Sequence, residues 1–287
     1  MPTTIKQGFE KLKENLEITG LQEETVSTRQ QTVRDVVAAG MTVLDSFLTG
    51  SYRRSTMIAP LTEADVDVFV VLDPKHYSEN GQQALLDELK RVLRKTYTRT
   101  PEISPNGQAV TIRFEDFKMD VVPGFNRQGG GFLIPDTQTK RWISTDPKKH
   151  VELWTASNKA HNGDLVPLIK MIKGWNKTHS ALFRSFHLEC MIREIMTNVT
   201  ISDFSSGCRY VLRHAQDKVY AAVYDPAGYG GDVGDSMPIG DKLAAAIGLH
   251  SAYNFAWEAE QLEGLGRTQE AFQKWRQIFS DYFPAYG

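Results

Sequence analysis

Apolar residues recur at spacings of three and four from Ile5 through Phe9, Leu12 and Leu16, which predicts an amphipathic helix over residues 4–18. The same period runs on through Val26, Val33, Val36, Val37, Met41, Val43, Leu44 and Leu48, predicting a second helix from about Glu24 to Leu48 that stops at Gly50. The pattern then changes. Residues 66–72 are rich in β-branched side chains and read as a strand, "ENGQQALLDELKRVLRKTY" as an amphipathic helix, and "QAVTIRF" as an alternating strand. A further strand, "FKMDVVPGF", ends at the turn signal Pro123-Gly124. Beyond Trp142 helical patterns dominate, near 146–160, 164–178, 184–197, 240–263 and 267–280. Residues 225–241, "DPAGYGGDVGDSMPIGD", lack periodicity and read as a loop. No internal repeat is visible.

Within this pattern Asp65 and Asp67 break the rule that strands disfavour aspartate. Alternate side chains on a strand share a face, so both carboxylates point into one space about 6.5 to 7 Å apart along the strand. Two anions held so close raise each other's pKa unless a cation intervenes, and hard carboxylate oxygens suit Mg²⁺. Asp120, in the later apolar strand, is a third carboxylate that a neighbouring strand can deliver to the same face. Three such groups can hold two divalent ions about 3.5 to 4 Å apart, the arrangement that stabilises attacking and leaving oxygens in phosphoryl transfer. Thirteen residues separate Gly50-Ser51 from Asp65. A glycine there admits close backbone approach to a phosphate, and exposed N–H groups with a serine hydroxyl supply donors.

Charge narrows the classes further. Lys and Arg total 33 against 35 Asp and Glu, so overall charge signals neither a polycationic nucleic-acid binder nor an acidic tail. Cys190 and Cys208 have no metal-ligand spacing and are too few for a disulfide framework, which suits a reducing, cytoplasmic compartment. The N-terminal segment lacks an apolar signal region, and no run approaches the roughly 18 apolar residues of a membrane span, so no membrane partner is expected.

Gly50-Ser51 followed by Asp65-Val66-Asp67 resembles the signature of the nucleotidyltransferase superfamily that includes DNA polymerase beta. With "GSYRRSTMI", "MDVVPGF", "IKGWN", "SFHLE" and "AFQKWRQIFSDYFP", the chain is similar along nearly its whole length to the bacterial cyclic-oligonucleotide synthases (CD-NTases) of CBASS antiphage defence, relatives of cyclic GMP–AMP synthase and oligoadenylate synthase.

The resemblance implies an α+β fold: a polymerase beta-like core of mixed β-sheet and helices over residues 1–145, and a C-terminal helical lobe over 146–287, bilobed with the active site in the cleft. It implies catalytic Asp65, Asp67 and Asp120 holding two Mg²⁺ ions, with Mn²⁺ able to substitute, and a donor triphosphate held by the Gly50-Ser51 turn, Lys173 and Ser185. Phe186 would stack on the donor base and Arg54 would contact phosphate, while His187 and Cys190 are expected to be structural. Asp146 and Pro147 read as the cap and start of a helix.

The substrates implied are nucleoside triphosphates, ATP among them, joined into a cyclic di- or trinucleotide that a downstream effector recognises, with pyrophosphate released. Family partners are a ubiquitin-activating-like conjugating enzyme, which would act on Gly287, or peptide-binding regulators. The same metal site would also serve a linear oligonucleotide maker or an RNA-, tRNA- or protein-modifying transferase. An RNA-tailing enzyme would be expected to show a basic groove, and no concentrated Lys/Arg face is found. A dead transferase fold acting as a sensor would lack a metal ligand, and all three aspartates are present.

Overall fold

A computed structural model describes residues 1–100 and 102–287. The chain divides into two compact units, Ile18–Leu153 and a second made of Met1–Glu17 with Trp154–Gly287.

The first unit holds α2 (Gly20–Gly40), β1 (Val43–Thr49), the short α3 (Gly50–Arg53), β2 (Asp65–Leu72), α4 (Gln82–Thr96), β3 (Glu102–Asn106), β4 (Ala109–Arg113), β5 (Lys118–Asn126), β6 (Phe132–Asp136) and β7 (Arg141–Thr145). The sheet order is β1-β2-β5-β4-β3, and β5 runs on to pair with the β6–β7 hairpin. Only β2 and β5 are parallel among these neighbours; the other pairs are antiparallel. The sheet is therefore mixed.

Alternation explains the layering. Val66, Val68, Val70 and Leu72 of β2 face a core with Val110, Ile112, Met119 and Val121, sealed by Val33 and Val37 of α2 and by Leu86, Leu89 and Leu93 of α4. The opposite face of β2 carries Asp65 and Asp67 first, then Phe69 and Val71, which join Phe132 and Ile134 of the hairpin in a separate apolar cluster. Gly124 lies on that second face, where a Cβ would come 2.6 Å from the Phe69 ring and 3.1 Å from the Leu133 carbonyl oxygen. Glycine there lets three strands and an aromatic ring share one layer.

Two expectations are corrected here. The helix read from Glu24 to Leu48 ends at Gly40, and Val43–Thr49 is a strand. Gly40 admits the Val92 side chain of α4, whose Cγ1 lies 2.5 Å from where a Cβ would stand, and residues 43–49 pair antiparallel with β2. Strand pairing overrides a helical period carried by short apolar runs. The second correction is at Pro123-Gly124, which do not turn: Val70 and Val71 of β2 face them in register and β5 continues to Asn126.

The second unit contains α1 (Ile5–Leu16), the second half of α5 (Pro147–Ala160), α6 (Leu165–Thr178), α7 (Ser185–Ile195), α8 (Phe204–Lys218), α9 (Ile239–Gly264) and α10 (Thr268–Phe279). The boundary expected near residue 145 thus falls at Leu153/Trp154, inside α5. The first helix groups with the C-terminal helices because Phe9 meets Trp275 edge-on at 4.7 Å and Phe283 at 5.3 Å. Helix α8, unassigned from sequence, is capped by Asp203, whose Oδ1 accepts from Ser206 N at 2.8 Å, and buries Cys208, Val211, Leu212 and Ala215. Asp146 caps α5 as expected, accepting from Lys149 N at 2.9 Å. No helix among the described residues is long and apolar enough to cross a membrane.

Candidate active site

Strand register assembles the carboxylates. Asp67 of β2 stands opposite Asp120 of the parallel β5, and Asp65 stands opposite Lys118. Across the other neighbours, Asp67 faces Thr49 of β1 and Asp120 faces Thr111 of β4. One row of the sheet therefore reads Thr49, Asp67, Asp120, Thr111, with Asp65 and Lys118 in the next row of the same face.

Each member has a distinct environment. Thr111 Oγ1 donates to Asp120 Oδ1 at 2.6 Å. Burial pushes the Asp120 carboxyl above the usual range, the Thr111 hydroxyl opposes this, the charge of Asp65 adds to it, and Lys118 opposes it. The Lys118 ammonium lies 3.7 Å from Asp65 Oδ1, with that carboxylate about half exposed.

The turn before β2 is fitted to Asp67. Gly50 has φ +64°, a left-handed conformation, and a Cβ built on it would lie 1.7 Å from Asp67 Oδ2. Both the backbone and the neighbouring carboxylate therefore require glycine. Ser51 follows at the start of α3, half-buried, and its carbonyl accepts from Thr56 N at 2.9 Å and Met57 N at 3.2 Å, which closes the loop. Arg53 is exposed and Arg54 is buried, so the surface arginine of the pair is Arg53.

The donors on this face are hard oxygens, and they suit Mg²⁺ or Mn²⁺ by type. A carboxyl raised by burial and by a second carboxylate is a group whose charge a cation would compensate. Among the described residues no three His, Cys, Asp or Glu side chains converge as a ready-made ligand cluster, and Asp65 pairs instead with Lys118.

Lys173, Ser185 and Phe186 belong to the other unit. Lys173 of α6 is buried and its Nζ lies 2.8 Å from Glu189 Oε1 of α7, joining the "IKGWN" and "SFHLE" segments. Asn176 adds a second link, donating to the Phe183 carbonyl at 3.0 Å and accepting from Phe183 N at 3.1 Å. Ser185 is exposed at the first position of α7, and Phe186 stacks on Trp154 with centroids 5.8 Å apart. His187 is buried against Gly234, where a Cβ would lie 2.7 Å from its ring, and burial lowers its pKa. Cys190 and Cys208 are buried and free.

Sequence reasoning missed Glu189, Thr111 and Lys118. Glu189 carried a signal, a lone carboxylate between Leu188 and Cys190 on an apolar helix. Thr111 and Lys118 are ordinary strand residues until the register places them.

A family model, the Second Messenger Oligonucleotide or Dinucleotide Synthetase (SMODS) domain, matches residues 3–158. The cyclic AMP-AMP-AMP synthase of Acinetobacter sp. (strain ATCC 27244 / 9458) is 27% identical over 300 residues, covering 98% of this chain and 86% of that protein. The cyclic AMP-AMP-GMP synthase of Enterobacter hormaechei subsp. hoffmannii (strain UCI 50) is 22% identical over 360 residues, covering 99% and 93%. A chain of the E. coli MS115-1 CdnC:HORMA-deltaN complex is similar in structure, with TM-score 0.78 at 14% identity over 98% of each chain, which shows a common fold. The family match spans more than half the chain and takes in the Gly50-Ser51 turn and all three aspartates: the chain belongs to the Second Messenger Oligonucleotide or Dinucleotide Synthetase family and is a nucleotidyltransferase that builds cyclic oligonucleotides.

Proposed function

We propose that the product is a cyclic trinucleotide containing adenine, made from ATP alone or from ATP with a second nucleoside triphosphate, and that it serves as a second messenger in antiphage defence. Two relatives that align over nearly the whole chain are named for cyclic AMP-AMP-AMP and cyclic AMP-AMP-GMP. The observation that carries the site assignment is the register pairing of Asp67 with Asp120 beside the Gly50 turn.

The family uses nucleoside triphosphates with a divalent metal. Asp65, Asp67 and Asp120 would hold that metal as two Mg²⁺ or Mn²⁺ ions. When bound, the ions supply positive charge to the phosphates in an in-line displacement at the α-phosphorus. Thr111 favours the ionised form of Asp120 against burial and orients the carboxylate through its 2.6 Å hydrogen bond. Gly50 lets the backbone run against Asp67, and Ser51 offers its hydroxyl and N–H to the donor's phosphates. Arg54, buried just beyond the turn, would act on this loop. For Lys173, Ser185 and Phe186 the support is the family resemblance together with chemical suitability: an ammonium and a hydroxyl for phosphate, an aromatic face for a base. A protein partner that regulates the enzyme is proposed because the similar E. coli chain is found in a complex with HORMA-deltaN, and a cytoplasmic location is proposed with it.

The test is to incubate the purified protein with Mg²⁺ or Mn²⁺ and all four ribonucleoside triphosphates, treat with phosphatase, and identify resistant products by mass spectrometry. A cyclic trinucleotide absent from the Asp65→Asn, Asp67→Asn double variant is expected. A linear or dinucleotide product would overturn the proposed product, and product from the double variant would overturn the site.

A further inference from the structure

The Lys173–Glu189 pair is among the most deeply buried charge in the described residues, with side chains 6% and 0% exposed and Nζ 2.8 Å from Oε1. Removing two charges from water costs several kcal/mol per ion, and an apolar pair of similar volume would hold two helices together at least as well. Packing alone therefore gives no reason to keep these charges between α6 and α7.

Glu189 lies four residues beyond Ser185 on α7. Residues at that spacing share a helix face, with Cβ atoms about 5–6 Å apart. That face runs from the exposed Ser185 hydroxyl at the helix start to the buried carboxylate. Glu189 thus fixes the Lys173 ammonium about one helical turn from Ser185. The loop leading into α7 is held by a second buried link, the paired hydrogen bonds of Asn176 with Phe183. A free lysine would have to lose its rotamer freedom on meeting a phosphate, whereas this one has lost it on folding.

We infer that Glu189 is a positioning residue for nucleotide binding: it holds the Lys173 ammonium in register with Ser185 so that both meet the same phosphate group. The inference rests on the reading that Lys173 and Ser185 contact the triphosphate, and it adds a function for a buried carboxylate that touches no substrate.

The experiment compares wild type with Lys173→Met, Glu189→Gln and the double variant Lys173→Met, Glu189→Leu. It measures the Kd of a nonhydrolysable ATP analogue by calorimetry, KM and kcat with ATP, and Tm. Lys173→Met should weaken analogue binding about tenfold or more, the scale of one charge-assisted contact. Glu189→Gln, which keeps the shape, should raise Kd and KM about tenfold while kcat at saturating ATP stays within about threefold. The double variant should fold with a Tm at or above wild type and bind no worse than Lys173→Met, because the two residues act as a unit. Glu189→Gln with wild-type affinity, beside a weakened Lys173→Met, would overturn the inference and leave Glu189 a structural residue. Wild-type affinity in Lys173→Met would overturn the underlying reading as well. Should Glu189→Gln fail to fold, Glu189→Asp decides, because it keeps Lys173 and the charge but draws the carboxylate back by one methylene: wild-type affinity overturns the inference, and weakened analogue binding at an unchanged Tm supports it.

Discussion

Replacing Gly50 by alanine tests whether the turn and Asp67 form one device. Two costs arise from the single added carbon. The first is conformational: at φ +64° a non-glycine residue in the left-handed region costs about 1–2 kcal/mol. In a protein of this size that corresponds to roughly 2–4 °C in Tm. The second is steric: the new Cβ would sit 1.7 Å from Asp67 Oδ2, when ordinary contact begins at 3.4 Å, so the carboxylate must retreat. A displacement of about 1 Å in a reacting geometry can cost about 100-fold in rate. Gly266→Ala is the control, because Gly266 has φ +74° with nothing within 4 Å of its Cβ position, so it carries the first cost without the second. The assay is Tm by differential scanning fluorimetry together with pyrophosphate release at saturating ATP. Gly266→Ala should lose stability by the first cost alone and Gly50→Ala by at least as much, and Gly50→Ala alone should lose about 100-fold or more in kcat. A Gly50→Ala enzyme within a few-fold of the Gly266→Ala rate would refute the reasoning, because Asp67 would then tolerate being moved.

Three further outcomes follow from other contacts. Thr111→Val removes the donor that stabilises ionised Asp120, leaving burial and the charge of Asp65 to push its carboxyl higher; the acid limb of the kcat/KM profile should move to higher pH, and an unmoved limb would show that Asp120 ionisation does not control it. Phe9→Ala empties a site lined by Trp275, Phe279 and Phe283, and urea denaturation should show a loss of about 3–5 kcal/mol; a loss under about 1 kcal/mol would mean that α1 is not integral to its unit. Burial depresses the His187 pKa despite the nearby Asp232, with Lys242 acting in the same sense as burial, so the unfolded chain takes up the proton first. Stability present above the unfolded value of about 6.5 is then lost as pH falls below it, and His187→Gln should flatten that slope in Tm against pH; parallel curves would remove His187 as the cause.

The carboxylate pair was legible because it is a conflict. Aspartate twice in a strand of Val, Phe and Leu cannot be explained by packing, and the same argument reached Asp120 on its own strand. What stayed hidden depends on pairing across the chain. Val43–Thr49 carries apolar residues at positions that fit either a helix or a strand, and only its antiparallel partner, β2, decides between them. Residues 204–218 had a cap and a helical apolar set in plain view, yet Ser205, Ser206 and Gly207 at its start are weak helix formers and masked it. Glu189, Lys118 and Thr111 acquire meaning only from the residue each one faces, which spacing along the chain does not encode.

The layout of β2 also bears on why the site is placed where it is. Along one face the strand passes from Asp65 and Asp67 to Phe69 and Val71 in successive alternate positions, with no neutral residue between. Phe69 is then roofed by Phe47 and Phe132, with centroids 5.1 and 4.9 Å away. The carboxylates therefore stand at the margin of an apolar layer, with water on one side and low dielectric on the other. In such a place a charge is costly on its own and a partner charge is worth more than in water. Burial accordingly leads the causes that raise Asp120, and Thr111 spends a hydroxyl to counter it. The same wall that makes Asp120 reluctant to ionise alone would strengthen its hold on a cation and sharpen the field felt by a bound phosphate. An apolar-to-polar change that admits water there, Phe132→Ser in the hairpin, should therefore lower the affinity for Mn²⁺ measured by electron paramagnetic resonance without touching a ligand residue. If Mn²⁺ binding is unchanged while the fold is retained, the apolar margin plays no part in the site.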